Sequence, residues 1–231
     1  MRRLAYLLIL AGVACLATIP LSIIRSDRHA AAAQGRLAKQ FGMVAACLHT
    51  SVPQDSCTPK TQGLQPTTAA TQPVGKLPSR GVNAPKLRPE ISPPLPGGVL
   101  DRLVIPTIGL RRYVVQGTAE SDLAEGPGHY LGTPLPGQYG NVAIAGHRTT
   151  YGAPFWALNE LVPGDRILLT DTTGHTWTYQ VTGQLVVGPD QMSVIGALKG
   201  YYLTLTTCNP RFWATGRLVV RAELQRPSPV R

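Results

Sequence analysis

From residue 99 onward, short apolar or alternating runs recur, and turn residues cut them apart. "RLVIP" (102–106) and "YVVQG" (113–117) come first, then "NVAIAGH" (141–147) and "DRILLTD" (165–171). "TWTYQVTGQLVV" (176–187) reads as one long strand or two, and "YYLTLTT" (201–207) and "RLVVRAELQ" (217–225) close the series. "PGQYGN", "VPGD" and "GPDQ" are the punctuation, rich in the residues that turn a chain. "SDLAEG" (121–126) and "PFWALNEL" (154–161) are short helical pieces, the second with Phe155, Leu158 and Leu161 on one face. Roughly seven or eight strands can enclose one core, and closing them into a barrel removes exposed edges. The pattern therefore predicts a mainly β, closed-barrel domain over residues 99–231.

Upstream the pattern is different. Leu4–Ile24 carries no charge and is flanked by Arg2 and Arg3 on one side and Arg25 and Arg28 on the other. At about 1.5 Å per helical residue such a stretch crosses a hydrocarbon core of about 30 Å. We expect residues 1–28 to be a transmembrane helix, retained as an anchor or as an uncleaved signal; "AAAA" at 30–33 offers the alternative of a cleavage site. Basic residues at both ends leave its orientation open. Residues 29–98 form a third region. "AAAAQGRLAKQFGMVAACLHT" (30–50) suits a short helix, and Pro53, Pro59, Pro66, Pro73, Pro78, Pro85, Pro89, Pro93, Pro94 and Pro96 follow it. Proline fixes φ and removes backbone donors, so this stretch is expected to be a semi-extended linker spacing the domain from the membrane.

Composition changes this picture little. Gly at 24, Pro at 21 and only 3 Phe disfavour a helical bundle. The net charge of +10 suits an anionic neighbour, such as a membrane surface or a cell wall. There is no zinc-finger spacing, RNA-recognition motif or Lys/Arg block, so nucleic acid is not an expected partner.

The cysteines bring in chemistry. Cys15 lies within the apolar stretch, and Cys47 and Cys57 sit close enough in sequence for a local disulfide. Cys208 is left over in a domain that looks exported, where a lone thiol is either reactive or an intermolecular link. A nucleophilic cysteine needs a base or cation beside it. His129, His147 and His175 are the domain's histidines. His147 is favoured because, like Cys208, it ends an apolar strand; His129 is the competitor, and His175 lies in a turn. An oxyanion formed at a carbonyl needs a fixed donor. Arg217 opens the strand after the Cys208 loop, while Arg211, inside that loop, is expected to be solvated.

"TLTTC" (204–208) resembles the TLxTC signature of sortases, the cysteine transpeptidases of Gram-positive cell surfaces. "AGHRTTYGAPFWALNELVPGDRI" (145–167) and "LTTCNPRFWATGRLVV" (205–220) look most like the class E members. Asn209 and Trp213 depart from what that class usually carries after the cysteine. The resemblance implies an eight-stranded sortase-type β barrel, with His147, Cys208 and Arg217 as the catalytic set. It implies that Thr207 contacts the peptide. Tyr151 is expected on the pocket rim, where a tyrosine goes with sorting signals of the LAxTG type. Implied partners are sorting-signal-bearing surface proteins, a peptidoglycan precursor or pilin lysine as acceptor amine, and the cell membrane, with the catalytic domain extracellular. No cofactor or metal is implied; in 188–200 Asp190 is the lone acid, which argues against a calcium site. An L,D-transpeptidase would show a His-Gly-Cys type stretch, which "LTTCNP" lacks. A cysteine hydrolase and a non-enzymatic wall-binding module stand as alternatives.

Overall fold

A computed structural model describes residues 2–49 and 93–225, with side chains in the first segment described from 23 to 46. Eight strands follow one long helix: β1 (Val99–Ile105), β2 (Leu110–Gln116), β3 (Gly128–His129), β4 (Gly140–Ala145), β5 (Arg166–Asp171), β6 (Thr176–Val187), β7 (Tyr201–Asn209) and β8 (Gly216–Leu224). They close into a barrel in the order β1-β2-β3-β4-β7-β8-β6-β5. The run at 176–187 is a single strand, with its pairing to β8 shifted between Val181 and Gly183. β3 escapes a reading by periodicity because it has two residues, joined to Val115 and Gln116 on one side and Ala145 and Ile144 on the other.

Inward positions of the strands meet in one core. Leu103, Ile105, Val142, Ile144, Ile167, Leu169, Tyr179, Leu203, Leu205 and Val220 are buried there. Phe155, Leu158 and Leu161 join them with no exposed surface. They do so from a loop containing a short 3-10 turn at Leu158–Glu160 rather than from a longer helix. The Phe155 ring lies where a side chain on Gly146 would stand, 2.6 Å from an added Cβ. Gly146 thus lets the loop after β4 fold back under the strand end.

The strand directions define two rims. β4 and β7 are parallel, and β8 runs antiparallel to β7. The ends of β4 and β7 and the start of β8 therefore share one rim. β1 ends and β2 begins on that rim as well, since β3 runs parallel to β2 and antiparallel to β4.

Residues Arg2–His49 form one continuous helix, α1, so the short helix expected at 30–50 is its second half. Among the described residues no helix is long and apolar enough to cross a membrane; the stretch Leu4–Ile24 lies almost wholly outside the described side chains. Residues 27–41 of α1 pack on the barrel wall. Leu37 is buried against Val99 and Val115, flanked by Phe41 and Tyr113, whose rings are 5.4 Å apart. Gln34 takes the place of a strand at the edge of β2. Its Oε1 accepts from the Tyr113 N–H at 2.7 Å, and its Nε2 donates to the carbonyls of Tyr113 at 3.1 Å and Glu125 at 2.9 Å. These are main-chain groups that β3 is too short to satisfy. Glu125 ends α2 (Glu120–Glu125), and its carboxylate also meets Arg36 at 3.2 Å. The barrel thus sits directly on residues 27–41 of α1. The Pro-rich stretch 50–92 and the Cys47–Cys57 pairing lie outside the described residues and side chains.

Leu37→Ala removes the apolar centre of this satellite contact, a kind of change that costs about 2–5 kcal/mol when the site cannot collapse. The expected result is local: amide hydrogen exchange over 27–41 speeds up, while β7 and β8 stay protected. Equal acceleration in the barrel strands would show that helix and barrel unfold as one unit.

Candidate active site

Backbone pairing builds the site before any side chain does. The β4–β7 ladder carries Ala145 opposite Thr206 and continues one step further, with the Gly146 N–H donating to the Thr206 carbonyl at 3.1 Å. His147 and Cys208 are the next residues at matching height on these parallel neighbours. On the other side of β7, Cys208 pairs with Arg217 of β8. Directly opposed residues of an antiparallel pair project to the same face, and the Arg217 guanidinium stands 3.7 Å from the Cys208 Sγ. Cys208 is a free thiol of intermediate exposure, held between a histidine strand end and an arginine.

The other histidines are spent elsewhere. His129 is 1% exposed; its Nδ1 meets Gln116 Oε1, and its Nε2 meets the Pro134 carbonyl and Thr133 Oγ1, each at 3.0 Å. His175 is exposed in the β5–β6 turn, its ring 4.1 Å from that of Trp177. That turn lies on the far rim, since Asp171 pairs with Asp101 at the opposite end of β1.

His147 is held by its loop. The Phe155 N–H donates to the His147 carbonyl at 3.0 Å. Between them Tyr151, Gly152 and Ala153 all have positive φ, at 52°, 71° and 40°, a conformation that costs energy for the two non-glycine residues. The turn brings the Tyr151 ring over the histidine, with centroids 5.0 Å apart and planes at 33°. The His147 Nε2 is buried and has no hydrogen-bond partner. Burial pushes the imidazole below its ordinary pKa, and the Glu120 carboxylate pulls weakly the other way.

Thr207, expected to touch peptide, is 3% exposed, and its hydroxyl donates to the Gly146 carbonyl at 2.7 Å. That bond closes the strand-end register that sets His147 beside Cys208. Arg148 was missed in the sequence. It is 5% exposed and donates to the Cys208 carbonyl at 3.1 Å, to Asn209 Oδ1, and to Asn159 Oδ1 at 2.9 Å. It ties the Cys208 carbonyl and the Asn209 side chain to Asn159 in the loop after β4. Arg211, expected to be solvated, is partly exposed and lies 4.2 Å over the Trp156 ring, donating to the Trp156 carbonyl and Asn159 Oδ1. A single sequence offered one hint for either arginine, their nearness to His147 and Cys208. A cleft of about 210 Å³ opens on the same rim between Ile108–Leu110 and Ala153–Ala157. Among the described residues no group of His, Cys, Asp and Glu could hold a metal ion.

The sortase domain profile matches residues 103–225, and the chain belongs to the sortase family. It is 35% identical over 116 residues to Sortase SrtE1 of Streptomyces coelicolor, covering 44% of this chain and 33% of that protein. It is also 35% identical over 109 residues to Sortase D of Bacillus subtilis, covering 47% and 53% of the two chains. The chain thus matches between a third and about half of these relatives' lengths. Among solved structures, sortase E from Streptomyces avermitilis is 39% identical with a TM-score of 0.51, covering 56% of this chain and 90% of that one. The SrtA sortase from Actinomyces oris is 30% identical with a TM-score of 0.56, over 63% and 94%.

A histidine depressed by burial is neutral in the fold at pH values where the unfolded chain already takes a proton. Its contribution to stability is therefore present above the unfolded value of about 6.5 and is lost as pH falls below it. A proton NMR titration is expected to place His147 below that value, and a midpoint above it would contradict the partly buried ring with its unpartnered Nε2.

Proposed function

We propose that the protein is a membrane-anchored cysteine transpeptidase that cleaves a C-terminal sorting signal between Thr and Gly and passes the acyl group to an amine. One observation carries this reading: the strand register puts Cys208 level with His147 on one neighbour and opposite Arg217 on the other. The Cys208 sulfur, as thiolate, attacks the threonine carbonyl carbon. Negative charge gathers on the carbonyl oxygen, and Arg217 stabilises it. Collapse breaks the Thr–Gly C–N bond, the leaving amine takes a proton from the His147 imidazolium, and a thioester remains. An incoming amine adds to that thioester and gives a proton back to His147, and the sulfur leaves as thiolate. Arg148 and Thr207 position the strand ends without touching the reacting atoms.

The acceptor is a peptidoglycan precursor or a pilin lysine, and the substrates are surface proteins bearing the signal. The anchor is the uncharged stretch Leu4–Ile24, with the barrel outside the cell. The test combines the purified protein, an LAxTG peptide and an amine, followed by mass spectrometry. The expected products are the Thr-linked amide and the released Gly fragment, with Cys208→Ala inactive and still folded. Turnover by that variant would remove Cys208 from its role, and hydrolysis without amide formation would make the protein a hydrolase.

Tyr151 bears on specificity, because its ring covers His147 at the rim. We expect alanine to be preferred over proline at the signal's second position. One hydrogen bond from the tyrosine hydroxyl is worth about 0.5–1.5 kcal/mol, so the preference in kcat/KM should be several-fold. Tyr151→Phe should narrow it, and equal values for the unmodified protein would end the idea.

A further inference from the structure

The contacts of α1 give the barrel a direction relative to its anchor. At the helix's N-terminal side, the Asp27 carboxylate accepts from the Gly152 N–H at 2.8 Å. Gly152 follows Tyr151 in the loop that holds His147, so Asp27 touches the active-site rim. About two turns further on, Gln34 meets the middle of β2. Beyond it, Leu37 meets Val99 and Val115, which lie toward the far rim. The helix therefore descends the barrel wall from the active-site rim downward. Its apolar stretch ends at Ile24, three residues before Asp27, or about 4.5 Å along the axis.

The same rim carries exposed apolar surface. Phe212 and Trp213, on the turn between β7 and β8 that follows Cys208, are 75% and 78% exposed. Trp156 stands edge-on behind Phe212, with centroids 6.1 Å apart. On the helix at this level Ile23 and Ile24 are each 46% exposed, and Arg25 and Arg28 follow at the exit. Exposed aromatics beside basic residues, level with the end of an apolar helix, match the chemistry of a membrane interface. We propose that α1 holds the barrel with its active-site rim toward the bilayer, and that Phe212 and Trp213 seat in the interfacial layer. This rests on the reading of Leu4–Ile24 as a span. Catalysis then takes place at the membrane surface, and Asp27 and Gln34 are positioning residues for the orientation.

The test uses the full chain reconstituted in vesicles of phosphatidylcholine with a minority of phosphatidylglycerol, with acyl chains brominated near the headgroup. Tryptophan emission reports burial in the lipid. Brominated lipid is expected to quench the unmodified protein, and Trp213→Phe to lose most of that quenching. Trp177→Phe, on the far rim, should retain it. Asp27→Ala combined with Gln34→Ala should also lose it, while the protein still floats with the vesicles and keeps its β circular dichroism. Flotation without Trp213-dependent quenching would overturn the orientation and leave the anchor standing. Quenching unchanged in the Asp27/Gln34 variant would show that α1 docking does not set the orientation. Failure to float would remove the anchor and the inference together.

Discussion

The parallel pairing of β4 with β7 is the constraint on which the site depends. Parallel strands cannot be joined by a tight turn, so the chain between them must travel, and here it builds β5 and β6 on the way. The return at β7 delivers Cys208 to the same height as His147. The ladder is extended past the last assigned residue of β4 by Gly146 N–H to Thr206 and sealed by Thr207 to the Gly146 carbonyl. A slip of one residue in this register would turn Cys208 to the other face. The geometry of the site is thus a backbone property first, and the side chains inherit it.

A second layer of polar contacts keeps that backbone from relaxing. Asn159 Oδ1 accepts from both Arg148 and Arg211, and Arg148 also holds the Cys208 carbonyl. Burial, and after it the neighbouring Arg211 guanidinium, raise the cost of ionising Arg148 and lower its pKa. The contacts to carbonyls and an amide oxygen offset that cost. Removing Arg148 would leave the Cys208 carbonyl and Asn209 Oδ1 without this donor. The strained turn at Tyr151–Ala153 is tolerated for a related reason: Phe155, buried beneath Gly146, over-determines the loop.

The docking of α1 solves a problem that barrel closure creates. β3 is too short to cover β2, so Tyr113 presents a main-chain donor and acceptor with no strand beside them. One glutamine amide has the same donor and acceptor pair, and Gln34 supplies it. Gly126 makes room, since a side chain there would overlap the Gln34 amide. The helix therefore completes the barrel wall as well as leading into it.

Much of the barrel was legible in the order of residues, because strands with one buried face repeat every two positions and turns are written in Gly and Pro. The core strands fall within three residues of their expected bounds, β1 and β2 each beginning three residues early, and the 176–187 run, left by the sequence as one strand or two, is one. Cys208, His147 and Arg217 were legible as strand-end residues of the right chemical types. β3 was not, since two residues carry no period. Nor were the linkages that join distant segments: Gln34 with Tyr113, Asp27 with Gly152, Arg148 with Cys208. Each is a hydrogen bond between a polar side chain and a backbone or side-chain group far away in sequence, and polar residues look alike until a fold chooses between burying them and solvating them. The sequence by itself determined which longer segments form strands and which reactive residue types end them. Tertiary structure alone decided that Thr207 turns inward, that Arg211 lies over Trp156, and that α1 lies along the barrel, because these depend on which main-chain groups closure leaves for side chains to meet.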